Sequence, residues 1–325
     1  MMEAGVDAVE YRSWLSAADT LSPAQRQEAV EVLQGRPAAI RVVEAIETRV
    51  DPERHCPHCA MPGAVSRGHA NGLRRFRCNG CGKSFNALTG TSLAGLRLRD
   101  RWWDFAECLR DGDTVERSAE VCGVASSTAF RWRHRFLRNA TAGATSLCGI
   151  VEADETFFLF SRKGERQRDR PARRRGGKAG KPGLSKELVP VLVAADRSGA
   201  TLSAVLPEVN SAEIEAVLKP VLAADALLVT DGGSYYRKVA NDLGVSHEAL
   251  NQSAGERIRG DLHIQTVNSR HRQLKDFVRS FRGVAAKYLP NYVRWFHIAA
   301  LMSSPTPQSC LDAALAFPAQ VAMPS

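Results

Sequence analysis

Hydrophobic and polar positions change character twice along the chain. Residues 8–49 read as successive helical segments, one of them starting at Ser22-Pro23. A Ser there caps the helix and a Pro at its first position presets φ, with Ala-Gln-Arg-Gln-Glu-Ala-Val continuing the turn. Residues 99–140 read as all-helical from Asp100-Arg-Trp-Trp-Asp-Phe-Ala-Glu-Cys-Leu109 onward. From Gly149 the pattern becomes strand-like, because Ile150-Val-Glu-Ala-Asp-Glu-Thr-Phe-Phe-Leu-Phe160 mixes β-branched and aromatic residues. Residues 188–195 and 201–206 predict a strand pair turning at Asp196-Arg-Ser-Gly199. Ser211 is expected to cap a helix through Leu222, and 226–231 predicts a short buried strand ending at Gly232-Gly233. A helix over 234–243, a strand over 247–250 and helices over 265–282 and 287–302 follow. Three strands, a helix, a strand, a helix, a strand and further helices make an α/β sheet domain of roughly 150 residues.

Between the first two of those strands lies a segment of different composition. Residues 161–186 hold eleven basic residues, Arg173, Arg174 and Arg175 among them, against Glu165 and Asp169. So charged a segment has too few apolar groups to order itself alone. The Pro- and Ala-rich residues 303–325 read as a flexible tail, and there is no internal repeat. The expected organisation is a helical region (1–50), a small cysteine-bearing module (51–92), a helical domain (99–140), the α/β domain (148–302) and the tail.

The 325 residues suffice for several domains, and a formal net charge of +9 favours a polyanionic partner, nucleic acid ahead of an acidic membrane. Solvated lysines and arginines alone would give the same charge. The N-terminus lacks the basic-then-apolar order of a signal peptide, and no apolar run approaches the roughly 20 residues of a membrane span. Of eight cysteines, Cys108, Cys122, Cys148 and Cys310 lie scattered in apolar stretches and read as buried thiols. That usage fits a reducing cytoplasm, which makes a soluble intracellular protein the expectation.

The other four cysteines form two CxxC pairs, Cys56-Pro-His-Cys59 and Cys78-Asn-Gly-Cys81, with 18 residues between them. Each pair can aim two thiolates at one point, and together they offer the four sulfur ligands of a structural Zn²⁺. Two disulfides or merely packed thiols are the alternatives. The spacing suits a β-hairpin zinc ribbon with turns at Gly63, Gly68 and Gly72. A closed four-sulfur site folds its module and performs no chemistry. Arg67, His69, Arg74, Arg75, Arg77 and Lys83 would decorate the ribbon with positive charge.

Residues 115–122, Gly123 and 126–137 read as helix, turn and helix. Ala119 is small at the crossing, Gly123 can take the positive φ of the turn, and Ser126 or Ser127 can cap the second helix. That helix would carry Arg131, Arg133, His134, Arg135 and Arg138 outside a core of Phe130, Phe136 and Leu137. A recognition helix in a DNA major groove needs that combination, although an ordinary helical hairpin with a solvated basic face has it too.

Asp154 sits mid-strand, and Asp231 ends a second apolar strand. A carboxylate in an apolar strand is costly unless a cation compensates it, and two such strands side by side could share a Mg²⁺ pair suited to phosphoryl transfer. Strand-end aspartates that merely cap loops are the alternative. Glu152 and Thr156 share the face of Asp154 and Glu155 points the other way, so Glu152 is a supporting partner in prospect. Further on, Asn268 and Lys275 stand seven residues apart on one helical face, with Arg272 and Arg279 extending a basic stripe. Val267, Leu274, Val278 and Phe281 make the core-facing stripe. An amide oxygen can complete a Mg²⁺ shell and a lysine can grip a phosphate, and a solvated basic helix would look the same.

At these residues the chain resembles bacterial insertion-sequence transposases that join a zinc ribbon to an RNase-H-like, DDE-type catalytic domain. The matching features are CxxC…CxxC, Ser-Thr-Ala-Phe-Arg-Trp-Arg-His134, Val-Glu-Ala-Asp-Glu-Thr156 and Val-Thr-Asp-Gly232. His-Ile-Gln-Thr-Val-Asn-Ser269 followed by Leu-Lys275, and the segment from Phe281 to Phe296, also match. The resemblance spans roughly residues 20–300. It implies an RNase-H-like mixed sheet behind a ribbon and a helix-turn-helix, with Asp154 and Asp231 as metal ligands. Asn268 would stand in the third catalytic position, where the wider pattern has Glu, with Lys275 as the basic residue after it. It further implies a transposase using two Mg²⁺ ions on double-stranded DNA, gripping its element's terminal inverted repeats and working as a homo-oligomer. The alternative is a non-catalytic zinc-ribbon and helix-turn-helix DNA-binding protein derived from one.

Overall fold

The computed structural model describes residues 8–33, 37–140, 146–165, 179–180, 185–251, 254–301 and 305–316. They fall into two compact units, one within residues 1–140 and 302–325 and the other within 141–301.

The first unit opens with α1 (Ala8–Ala18), α2 (Pro23–Leu33) and α3 (Ala38–Glu47). Ser22 starts α2 as its sequence predicts: its Oγ accepts from the Gln25 amide at 3.3 Å and its own amide donates to Gln25 Oε1 at 3.0 Å. A three-stranded antiparallel ribbon follows, in the order β1 (Val65–Ala70), β2 (Leu73–Arg77), β3 (Ser84–Phe85). Asn71 and Gly72 both take positive φ, 52° and 75°, which suits a two-residue hairpin turn. Gly68, at φ 70°, sits where the β1–β2 register shifts, so it supplies a bulge rather than a turn.

Helices α4 (Trp102–Arg110), α5 (Val115–Cys122) and α6 (Ser126–Phe136) then pack around Trp102, Phe105, Trp132 and Phe136. Their rings meet edge to face with centroids 5.0–5.6 Å apart, a favoured aromatic geometry. Thr114 caps α5 by accepting from the Arg117 amide, and Gly123 at φ 62° closes it. The expected serine cap on α6 is absent: its N-cap is Ala125, and no side chain bonds the first turn.

The second unit is built on one sheet. Its strands are β4 (Ile150–Leu159), β5 (Leu188–Asp196), β6 (Thr201–Val205), β7 (Leu227–Thr230) and β8 (Ser246–Ala249), in the order β6-β5-β4-β7-β8. β5 is antiparallel to β4 and β6, and β4, β7 and β8 run parallel. That mixed order, with the longest strand central, is the RNase-H-like arrangement the resemblance implied. Helices α7 (Ser211–Leu218) and α8 (Ser234–Leu243) bury Ile214, Leu218, Tyr236 and Val239 against Val151, Ala153, Leu192 and Leu228. A short hairpin, β9 (Ile258–Arg259) and β10 (Leu262–His263), precedes α9 (Gln265–Ser280) and α10 (Leu289–Phe296). α10 packs on α9 through Trp295, whose ring lies 5.5 Å from Phe277 and 4.7 Å from Phe281.

Several boundaries differ from expectation for local reasons. Asn210, not Ser211, caps α7, accepting from the Glu213 amide at 2.9 Å, and the helix stops at Leu218 because Pro220, past the still-helical Lys219, has no amide to continue the ladder. The helix expected over 287–302 starts at Leu289 and gives way to a π-helical stretch over His297–Leu301. The β9–β10 hairpin has two residues per strand, too few to show an alternation. Residues 303–325, expected to be a flexible tail, contain α11 (Pro307–Leu315), which belongs to the first unit. Thr306 and Ser309 form its capping box, and Cys310, Leu311 and Leu315 are buried. Cys148 is exposed, whereas Cys108, Cys122 and Cys310 are buried as expected. The expected basic segment falls largely on residues 166–178 and 181–184, outside the described residues, and Arg173, Arg174 and Arg175 with it.

Candidate functional site

The β4–β7 register brings the two aspartates together. Ile150, Val151 and Glu152 pair with Leu227, Leu228 and Val229, and continuing that register sets Asp154 beside Asp231. Paired positions on neighbouring strands, about 4.8 Å apart, turn their side chains to the same face. Asp154 is half-buried and Asp231, just past the strand end, is exposed. Burial first, then the charges of Asp231 and Glu155, raise the Asp154 carboxyl to about 7. The pair is therefore short of positive charge.

Glu155 faces the other way, as strand alternation requires. Its two carboxylate oxygens accept from Tyr235 at 2.7 Å and Tyr236 at 2.5 Å. Those tyrosines open α8, so the bonds tie the loop carrying Asp231 back to β4. Gly232, at φ 91°, and Gly233 make that turn possible, and a Cβ on Gly233 would come within 2.8 Å of the Tyr235 ring.

Glu152 is fully buried and does a different task from the metal-side support expected of it. Its Oε2 accepts from the Val267 amide at 3.0 Å, in the first turn of α9. Its Oε1 meets Arg197 Nη1 at 2.6 Å and His263 Nδ1 at 3.2 Å. A carboxylate at a helix N-terminus satisfies an orphan amide and complements the helix dipole. β4 thus holds both Asp154 and the start of the helix that faces it.

On α9, Asn268, His271, Arg272, Lys275, Asp276 and Arg279 line an open cavity of about 550 Å³. Asn268, Arg272 and Lys275 are exposed there, and the Lys275 charge is felt by Asp154. The buried stripe is Val267, His271, Leu274 and Val278, with Phe281 only half-buried. His271 is the residue that sequence reasoning missed. Its Nδ1 lies 4.0 Å from Asp154 Oδ2, and its position four after Val267 and three before Leu274 could have marked it as inward-facing.

In the ribbon the four cysteine sulfurs lie within 4.8 Å of one another. Cys56 and Cys81 Sγ are 3.7 Å apart, and Cys59 and Cys78 Sγ 3.5 Å apart. Tetrahedral ligands on Zn²⁺ at about 2.3 Å sit about 3.8 Å from each other, so the cluster fits that ion and its thiols are not disulfides. The Cys81 and Gly80 amides point at Cys78 Sγ, and together with neighbouring thiols push that group down to about 6. Arg67, His69, Arg75, Arg77 and Lys83 are exposed, whereas Arg74 is engaged with Glu47 at 2.7 Å.

The helix α6 revises the expected basic face. Its buried positions are Ala129, Trp132, Arg133 and Phe136, so Arg133 falls on the core stripe. Arg133 donates to the Asp113 carbonyl at 2.6 Å and to Ser118 Oγ at 3.2 Å. Arg135 donates to the Ser92 and Ala94 carbonyls. Both tie helices and loops together within the unit. His134 is half-buried, and burial with the Arg133 charge lowers it to about 4. Arg131 and Arg138 are exposed as expected, and Phe130, expected in the core, is exposed beside Ser126 and Ser127.

The carboxylate pair thus lies at the neighbouring parallel strands β4 and β7 of an RNase-H-like sheet. Residues 146–297 match the family model of the ISXO2-like transposase domain, and residues 97–145 match that of a homeodomain-like domain. A protein of Halobacterium salinarum described as an uncharacterized protein in transposable element ISH50 is 29% identical over 249 residues, covering 75% of this chain and 84% of its own. The archaeal source of that relative widens the bacterial setting the resemblance implied. Among solved structures, a pre-cleavage Mos1 transpososome is similar at 14% identity over 64% of this chain and 76% of its own, with a TM-score of 0.24. A Mos1 transposase paired-end complex with left transposon end is similar at 16% identity over 61% and 75%, with a TM-score of 0.23. Among the described residues no helix is long and apolar enough to cross a membrane.

Proposed function

We propose that the chain is a DDE-type transposase that binds the terminal inverted repeats of an insertion sequence and cuts and joins DNA strands in a metal-dependent way. The observation that carries this reading is the register that seats Asp154 beside Asp231 with α9 facing them. Two carboxylates abreast, one held to about 7 by burial and by its neighbour, fit a divalent cation. Asp154, Asp231 and Asn268 would hold Mg²⁺, as two ions. When bound, such ions activate a nucleophilic oxygen and stabilise the leaving oxygen of a phosphodiester.

The chain's own residues do the rest. Lys275 and Arg272 on the exposed face of α9 bind backbone phosphates and draw the strand across the aspartates. Glu152 fixes the start of α9 and Glu155 fixes the Asp231 loop, so neither ligand has to be ordered when DNA arrives. Asn268 supplies an amide oxygen but no charge and no proton acceptor, so it orients and does not act as a base. In the other unit, the exposed face of α6 at Ser126, Ser127, Phe130 and Arg131 enters the major groove, and the ribbon adds phosphate contacts around a structural Zn²⁺. Arg173, Arg174 and Arg175 contribute further positive charge toward the DNA. Two element ends must be brought together, so the working form is a homo-oligomer in the cytoplasm, on the nucleoid.

The test is a strand-joining assay with a pre-cleaved element end, a target plasmid and Mg²⁺ or Mn²⁺. The wild type is expected to give joined product, and Asp154→Asn none. Cleavage without joining would make the protein a nuclease. DNA binding without either reaction would make it a non-catalytic DNA-binding relative of the transposases.

A further inference from the structure

One side chain at the site has no task in the scheme above. His271 is only 8% exposed, its Nδ1 faces Asp154 Oδ2 at 4.0 Å, and its buried Nε2 has no hydrogen-bond partner among the described residues. It sits three residues after Asn268 and four before Lys275, so the three follow one another along α9 and line the same cavity. An imidazole nitrogen buried and unpartnered costs stability, and an apolar residue would fill the same stripe between Val267 and Leu274 without that cost.

The distance is compatible with a shared ion. A nitrogen and a carboxylate oxygen 4.0 Å apart are too far for a hydrogen bond. Two ligand atoms that share one divalent ion, each at about 2.1 Å, lie from about 3.0 Å apart when adjacent to about 4.2 Å apart when opposite. The observed separation falls in that range. The donor count points the same way, since Asn268 replaces a charged ligand with a neutral one at an exposed position.

We infer that His271 is a further ligand, through Nδ1, of the divalent ion held by Asp154 and Asp231. This rests on the metal-dependent reading above and adds a nitrogen to an otherwise all-oxygen site. Mg²⁺ prefers oxygen ligands, whereas imidazole favours first-row transition ions, so the site would take Mn²⁺ in preference to Mg²⁺.

The experiment is pulsed EPR on the full-length, zinc-loaded protein titrated with Mn²⁺, read for coupling between the electron spin and ¹⁴N. Wild type is expected to show a directly bonded imidazole nitrogen. His271→Gln is expected to lose that coupling and to bind Mn²⁺ roughly tenfold more weakly. Bound Mn²⁺ without nitrogen coupling in the wild type would overturn the assignment while leaving the aspartates as a metal site, and it needs no variant to fold. Coupling that persists in His271→Gln would put the nitrogen on another histidine and overturn it as well. No bound Mn²⁺ at millimolar concentration would remove the metal-dependent reading and this inference together.

Discussion

Single residues around Asp154 show how far a side chain's task can be read from strand alternation alone. Alternation separates Glu152 from Glu155 correctly, but it cannot say what each meets, because the partners lie far along the chain. Glu152 reaches Arg197 and the Val267 amide, and Glu155 reaches Tyr235 and Tyr236. Breaking a buried ion pair by removing one member strands the other charge, so Arg197→Ala is expected to cost about 3 kcal/mol, reduced somewhat by the partial exposure of Arg197. Urea denaturation measures it, and a loss below about 0.5 kcal/mol would show that Glu152 needs no such partner. A second residue-scale expectation concerns His297, which burial and the nearby Arg270 charge lower to about 4. An unfolded histidine protonates near 6.5, so between pH 6.5 and 4 the unfolded chain holds a proton the folded one does not. Its neutral burial is therefore fully compatible with folding above pH 6.5, and stability falls as pH drops through that window, by up to about 1.4 kcal/mol per pH unit. His297→Gln should flatten that part of the stability–pH curve, and an unchanged slope would contradict the argument.

At the scale of elements, the long periodic segments were legible and the short or capped ones were not. The strands β4 to β8 and the helices α5, α6, α8 and α9 fall where apolar spacing puts them, while β9 and β10 are too short to have a period. The core stripe of α6 is the instructive error, because Arg133 occupies a position that helical spacing assigns to the interior. Its long stem packs and its guanidinium finds the Asp113 carbonyl, which a hydropathy pattern cannot foresee. Arg133→Ala is accordingly expected to lower thermal stability, whereas Arg131→Ala should leave it alone and weaken DNA binding with a salt slope smaller by about one. Melting curves and binding isotherms across salt separate the two, and equal loss of melting temperature in both variants would refute the division of labour. The ribbon makes a third case. With a core cluster of Cys56, Ala64, Phe76, Cys78 and Phe85, joined by Val50, it is too small to fold on apolar burial alone. Cys78→Ser is expected to release one equivalent of zinc by elemental analysis and to unfold β1–β3, and a ribbon that keeps its fold without metal would contradict that.

For the whole molecule, the architecture was clearer in the sequence than the chemistry. An α/β sheet domain after a cysteine module and a helix-turn-helix followed from pattern and motif order, and its RNase-H-like character from the family resemblance. The pairing of Asp154 with Asp231 could be proposed but not seen, because a parallel register is set by a crossover about 70 residues long rather than by local pattern. His271 escaped notice because a histidine inside an apolar stripe looks like any other filler until a carboxylate is found across from it. The central claim is that the two aspartates act as one site. Isothermal titration of Mn²⁺ into zinc-loaded wild type, Asp154→Asn, Asp231→Asn and the double variant tests it most directly. Either single change is expected to weaken binding by tenfold or more, and the double should add little, as for residues that share one ligand. Equal Mn²⁺ affinity in the wild type and the double variant would contradict it.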